Sequence, residues 1–198
     1  AGGPPRRRDV GDRGYRDPVA TIYYTASSID GFIADEYHSL SWLLTRDVDP
    51  AGPMGHESFM ATVGAVAMGA TTYQWVLDNG LGEDRERDWP YQVPTWVFTH
   101  RDLELVPGAD IRLTQGPVET VHEQMREAAG DRNVWVVGGG DLAGQFADAG
   151  LLDELMVQYA PVSLGRGTPL LPRWVELELL DTVRNRDFAC THYRVVRA

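Results

Sequence analysis

The chain is 198 residues long, 43% hydrophobic and 24% charged, with a formal net charge of −11. That length suits one domain with a sizeable core. The acidity argues against nucleic-acid and anionic-membrane partners, which need basic surface, and no apolar run approaches the ~18 residues of a membrane helix. The one cysteine, Cys190, excludes an intrachain disulfide and fits a reducing, cytoplasmic setting. Five scattered histidines, His38, His56, His100, His122 and His192, offer no close pair at ligand spacing, so no metal site is expected.

Residues 1–17 hold Gly, Pro and charge with almost no apolar content, and are read as a disordered tail before a domain spanning 18–198. Arg6, Arg7 and Arg8 are not followed by a hydrophobic stretch, which argues against an export signal. VATIYYTAS (19–27) is β-branched and aromatic, as a buried strand should be. Residues 53–62 suit a helix, VGAVAMG (63–69) a strand, TTYQWVLD (71–78) a short helix and PTWVFTH (94–100) a strand. ADIRLT (109–114) is a weak strand. Gly116 and Pro117 then open a helix with Val118, Val121, Met125 and Ala128 on one face, closed by Gly130. NVWVVG (133–138) is an apolar strand, and 140–149 a helix with Leu142 and Phe146 inward. Strands follow at 153–162, 174–183 and 187–196. Alternation followed by strand after strand predicts an α/β fold: a mostly parallel sheet, helices on both faces, and a C-terminal antiparallel hairpin.

The strongest motif is VWVVGGGDLAGQF (134–146), where a buried strand ends in Gly138-Gly139-Gly140 and a helix begins at once. Glycines admit a ligand close to the backbone, and the helix start offers unpaired N–H groups and partial positive charge for a phosphate. The alternative is a flexible strand-to-helix turn. Gly138-x-Gly140-x-x-Ala143 also satisfies the dinucleotide fingerprint of a Rossmann fold, although that motif normally opens its domain. AVAMGATTYQW (65–75) repeats the pattern: a strand ends at Gly69, and Thr71 or Thr72 is placed to cap the following helix. A third strand ends in Thr99-His100-Arg101. Three such strand ends suit one dinucleotide lying along the carboxyl edge of a sheet.

Together with TASSIDGFIA (25–34), VAMGATTY (66–73), VFTHR (97–101) and DELMVQYAPVSLGRGTPLL (153–171), these pieces give a chain that resembles the dihydrofolate reductase superfamily. The resemblance is strongest to the bacterial family related to the reductase domain of the bifunctional riboflavin-biosynthesis deaminase-reductase, and it covers 19–196. It implies a three-layer dihydrofolate-reductase-like fold and NADPH. Ala26 and Ile33 would lie near the nicotinamide. Gly69, Ala70, Thr71 and Thr72 would hold phosphates on one side, Thr99, His100 and Arg101 would border the adenosine end, and Val137, Gly138, Gly139, Gly140, Asp141 and Leu142 would wrap the pyrophosphate. A cis peptide between Gly138 and Gly139 is a further implication. Ala70 stands where relatives usually carry an arginine facing the 2′-phosphate, leaving Arg101 to supply that charge.

The implied reaction is hydride transfer to a C=N or C=O bond of a pterin-, pyrimidine- or other heterocycle-like metabolite. A proton donor is then needed near the nicotinamide. Asp30, in Ser28-Ile29-Asp30-Gly31, and Asp47, five residues after Trp42, are the candidates; a turn residue and a plain loop residue are their alternative readings. Tyr24, Trp42, Gln158 and Tyr159 are candidates to line the substrate pocket, and Arg166 to bind an acidic or phosphorylated group. The competing functions are a Rossmann-type NAD dehydrogenase and a non-catalytic nucleotide-binding protein on the same fold. Homodimers are common in such relatives, so self-association is a further expectation.

Overall fold

Eight strands build the main sheet of the computed structural model, which describes residues 19–80 and 89–197. In chain order the elements are β1 (Thr21–Ser28), β2 (Phe32–Ala34), α1 (Ser41–Leu44), α2 (His56–Met60), β3 (Val63–Gly69), α3 (Ala70–Asn79), β4 (Thr95–Phe98), β5 (Ile111–Thr114), α4 (Val118–Ala129), β6 (Asn133–Gly138), α5 (Gly140–Asp148), β7 (Glu154–Ala160), β8 (Thr168–Pro169), β9 (Leu177–Asn185) and β10 (Phe188–Val195). The sheet order is β5-β4-β3-β6-β1-β7-β10-β9. The first six strands in that order run parallel, and β10 and β9 close the sheet as an antiparallel hairpin. The expected α/β architecture is the one observed. The expected tail at 1–17 lies outside the described residues.

Alternation along the strands builds two apolar layers. Tyr23, Ala65, Ala67, Val134, Val136, Leu155 and Val157 face α4 and α5, where Val118, Val121, Met125, Leu142 and Phe146 meet them. Ile22, Tyr24, Val66, Met68 and Trp135 point the other way, onto Phe59 of α2 and Tyr73, Val76 and Leu77 of α3. Trp42 packs with Ala160, Phe188 and Cys190 in a third cluster near the hairpin. On α4 the buried position is Ala129 rather than the expected Ala128. A helical face that holds Val121 and Met125 continues four residues on, at 129. Pro117 is the N-cap of α4, one residue before its first turn.

Two short strands escaped the sequence pattern. β2 and β8 pair with each other as a separate two-stranded ribbon, through Phe32–Pro169 and Ala34–Thr168. Main-chain bonds fasten this ribbon: the Leu170 amide donates to the Gly31 carbonyl at 2.8 Å, and the Tyr23 hydroxyl donates to the Leu170 carbonyl at 3.0 Å. The segment from 164 to 173 is thereby laid across the start of α5. No helix among the described residues is long and apolar enough to cross a membrane.

Phe146 is fully buried between α5 and the sheet, with its ring edge-on to Phe98. Phe146→Ala is expected to cost about 3–5 kcal/mol in urea denaturation; a loss below about 1 kcal/mol would show that this layer does not hold the fold together.

Candidate cofactor site

β3 and β6 are adjacent and parallel, with Met68 opposite Gly138, so their carboxyl ends lie side by side. Each passes straight into a helix. Gly69 is the N-cap of α3 and Gly139 the N-cap of α5, and neither helix start carries a side-chain cap. The expected capping by Thr71 or Thr72 does not occur, because both residues sit inside the first turn of α3 rather than before it. Two sets of first-turn N–H groups, with the positive ends of two helix dipoles, are thus offered along one edge without a side chain claiming them. That donor set suits a diphosphate.

The glycines at this edge divide into two kinds. Gly138 has φ +142, a conformation that side chains rarely adopt, and its bond to Gly139 is cis. Gly140 leaves no room at all: a Cβ there would run into the carbonyl oxygens of Leu170 and Pro169. The fold itself demands glycine at both places. Gly69 (φ −83) and Gly139 (φ −73) are different, since both lie in ordinary extended backbone. A Cβ at Gly69 would come no nearer than 3.8 Å to the Gly138 carbonyl oxygen, and one at Gly139 no nearer than 3.8 Å to Ile33 Cδ1. Packing permits a side chain at either position, in ordinary van der Waals contact with its neighbours, so the fold itself does not require glycine at 69 or 139.

The remaining residues expected around a dinucleotide fall along the same edge. Ile33 reaches Gly139 from β2, and Thr72 Oγ1 stands 3.9 Å from where a Cβ on Gly138 would be. Ala26 is half-buried on β1, the strand next to β6. Ala70 and Thr71 open α3. Thr99 is buried just past β4, the neighbour of β3, and its hydroxyl oxygen accepts from the Arg101 amide at 2.9 Å. His100 and Arg101 are exposed. Val137 packs against the α2–α3 layer, Leu142 is buried in the α4–α5 layer, and Asp141 is exposed.

The expected pocket residues are more dispersed. Tyr24 stacks on Phe59 at 4.3 Å, and its hydroxyl donates to the Met54 carbonyl at 3.0 Å. Gln158 donates to the same carbonyl at 2.8 Å. Both side chains therefore pin the loop before α2, and burial pushes the Tyr24 hydroxyl well above the usual phenol range. Trp42 is buried, with its indole N–H donating to the Ser39 carbonyl at 3.2 Å. Tyr159 lies on the opposite face of the sheet from Gln158, packed against the α4–α5 layer. Arg166 is 76% exposed and meets Glu36 at 3.4 Å, across the β2–β8 ribbon.

Both acids expected to donate a proton are engaged with other parts of the chain. Asp30 accepts from the Ser163 hydroxyl at 2.9 Å, the Leu164 amide at 3.0 Å and the Gly165 amide at 2.7 Å. The Ser28 hydroxyl first, then the Leu164 and Gly165 amides and the Ser163 hydroxyl, hold its carboxyl well below the usual range. It is an ionised loop tie with no proton to give at neutral pH. Asp47 accepts from Arg186 at 3.0 Å, and its amide donates to Asp187 at 2.9 Å, so it locks its loop to the turn of the β9–β10 hairpin. The sequence reading had missed the carbonyls of Pro169 and Leu170, Tyr23, and Arg173, which together shape the start of α5. Gly140 and Gly144 were the signals present for them: glycines on α5 that its strand-to-helix turn does not explain.

The model of the RibD C-terminal domain matches residues 20–190. This chain belongs to that family. It is 30% identical over 177 residues to the uncharacterised YwjB of Bacillus subtilis (strain 168), covering 87% of this chain and 96% of YwjB. It is 29% identical over 183 residues to the riboflavin biosynthesis protein RibD of Corynebacterium ammoniagenes, covering 88% of this chain and 51% of RibD. Among solved structures, a riboflavin-biosynthesis-type protein from Shewanella sp. PV-4 superposes with a TM-score of 0.75 at 26% identity, covering 90% of this chain and all 100% of that one. The fold is thus that of the RibD reductase domain.

Gly140→Ala is expected to lose about 1–3 kcal/mol of stability, because the helix start or the overlying carbonyls must shift. Gly69→Ala is expected to stay within about 1 kcal/mol of the parent. Equal losses on denaturation would refute the division of the glycines. Asp30 gives a pH-dependent counterpart. A carboxylate whose native-state value is depressed stabilises the fold above its ordinary titration range, about pH 4, and that contribution fades as pH falls below it. Asp30→Asn is therefore expected to melt below the parent near neutral pH, with the gap narrowing below about pH 4; a gap that persists unchanged at low pH would count against the loop-tie role.

Proposed function

We propose that this RibD C-terminal-domain protein binds NADPH along the carboxyl edge of its sheet and reduces a C=N or C=O bond of a small heterocyclic, pyrimidine-like metabolite. The observation that carries the reading is the pair of adjacent, uncapped helix starts, each entered through a glycine, Gly69 or Gly139, that packing does not demand. The amides of α3 and α5 would hold the phosphates. Ala26 and Ile33 lie on the β1 side for the nicotinamide, and Thr99, His100 and Arg101 on the β4 side for the adenosine. Arg101 is exposed, and its guanidinium has no partner among the described residues, which supports its use for the 2′-phosphate in place of an arginine at Ala70. When bound, the nicotinamide supplies the hydride. The chain's part is to orient the two reactants, and the proton that completes the reduction would come from solvent water, since Asp30 and Asp47 are both tied elsewhere. A pyrimidine-like acceptor is suggested by the fold neighbours, one of which, from Thermotoga maritima, is a diaminohydroxyphosphoribosylaminopyrimidine deaminase/5-amino-6-(5-phosphoribosylamino)uracil reductase with 20% identity and a TM-score of 0.64, of which this chain covers 57%.

Titration of the chain with NADPH and NADH, followed by quenching of tryptophan fluorescence, tests the cofactor. Trp135 lies on β6, three residues before Gly138, and reports on the site. Saturable quenching is expected, tighter with NADPH than with NADH. Gly69→Val is expected to weaken it at least about tenfold, by setting a branched side chain at the helix start where the diphosphate would sit. Unchanged affinity in a folded Gly69→Val variant would sink the reading. NADPH oxidation in the presence of reducible heterocycles then tests turnover, and Asp47→Asn is expected to leave that rate within about twofold, since Asp47 serves the hairpin and not the site.

A further inference from the structure

We propose that Arg173 is a positioning residue that keeps the α5 phosphate cradle open by neutralising Asp141 and holding it back. The inference rests on the cofactor reading above. Asp141 is the second residue of α5, beside the amides assigned to the ligand. A carboxylate in a first turn is attracted by the helix dipole. Left alone, it would compete with a bound phosphate for the same amides and repel it as a like charge.

The structure shows this carboxylate restrained. Arg173 donates from Nη2 to Asp141 Oδ1 at 2.9 Å, and Gln145 donates to Asp141 Oδ2 at 3.0 Å, so both oxygens are engaged away from the helix start. Gln145 first, then Arg173, hold the carboxyl below its ordinary range, so it is charged at neutral pH. Arg173 is itself fixed at three points. Its Nε donates to Asp148 Oδ2 at 2.8 Å and its Nη1 to the Pro172 carbonyl at 2.9 Å. The guanidinium thus spans α5 from its first turn to its last.

Gly144 records the same arrangement in the helix. A Cβ there would come within 2.8 Å of Arg173 Cγ and 3.2 Å of its Nε. Glycine is disfavoured inside a helix relative to alanine, and the room it leaves at 144 is filled by the arginine. The segment that delivers Arg173 is anchored independently, by Tyr23 on the Leu170 carbonyl and by the Leu170 amide on Gly31. The chain therefore places a fixed cation beside the acid in the first turn of α5.

The test measures NADPH affinity by tryptophan quenching in the parent, Arg173→Gln, Asp141→Asn and the double variant, with melting temperatures alongside. Arg173→Gln is expected to weaken NADPH roughly two- to fivefold at low ionic strength, and the loss is expected to shrink in about 0.5 M salt. Asp141→Asn alone is expected to tighten binding, and in the double variant to restore at least the parental affinity. The inference is overturned if Arg173→Gln binds like the parent, if its loss persists undiminished in the Asp141→Asn background, or if Asp141→Asn alone weakens binding. The last comparison stands even where Arg173→Gln fails to fold. A parent that does not bind NADPH at all would instead overturn the cofactor reading on which this one depends.

Discussion

The structure turns on two parallel neighbours, β3 and β6, ending level with each other and each handing the chain to a helix through a residue that has no side chain. Parallel pairing puts both carboxyl ends on one edge. Immediate entry into a helix puts unclaimed N–H groups there. Had either turn carried an Asp or Ser cap, the helix would be better satisfied and the edge would be closed to a ligand. The fold leaves both ends uncapped and spends its side-chain hydrogen bonds elsewhere.

Those bonds go to the loops that surround the edge. Asn185, 2% exposed, accepts from the Asp49 amide at 3.0 Å and donates to the Asp49 and Pro53 carbonyls at 2.8 and 3.1 Å. Tyr24 and Gln158 hold the Met54 carbonyl, and Asp30 gathers the turn at 163–165. Asn185, Tyr24 and Gln158 trade contact with water for main-chain groups, the condition under which a buried or half-buried polar group is tolerated, while Asp30 makes its ties at the surface. The walls of the site are irregular backbone made rigid one hydrogen bond at a time.

Much of this was legible from composition and period, and the limits follow from physics. β3 and β6 were readable to the residue because continuous apolar runs bounded by glycine carry a strong strand signal. The two-residue β8 carries no period at all, so its pairing with β2 was invisible. Thr71 and Thr72 looked like caps because their residue type favours capping, but capping depends on standing before the first turn, and the helix began at Ala70. Asp30 stood out in Ser28-Ile29-Asp30-Gly31, just past the first strand, and Asp47 five residues after Trp42. Their partners, Ser163, Gly165, Arg186 and Asp187, lie more than a hundred residues away in sequence, and only the folded chain brings them together. The glycine cluster was legible as a strand-to-helix turn; which of its glycines the fold itself demands required the positions of the carbonyls around them.

The absence of any gap between Gly140 and the carbonyls of Pro169 and Leu170 makes α5 and the segment above it a single mechanical part. That segment is also paired with β2, so the ribbon moves with it. Grafting a loop from a relative to alter substrate scope would therefore disturb the cradle beneath it unless the transplanted piece followed the same path over the helix.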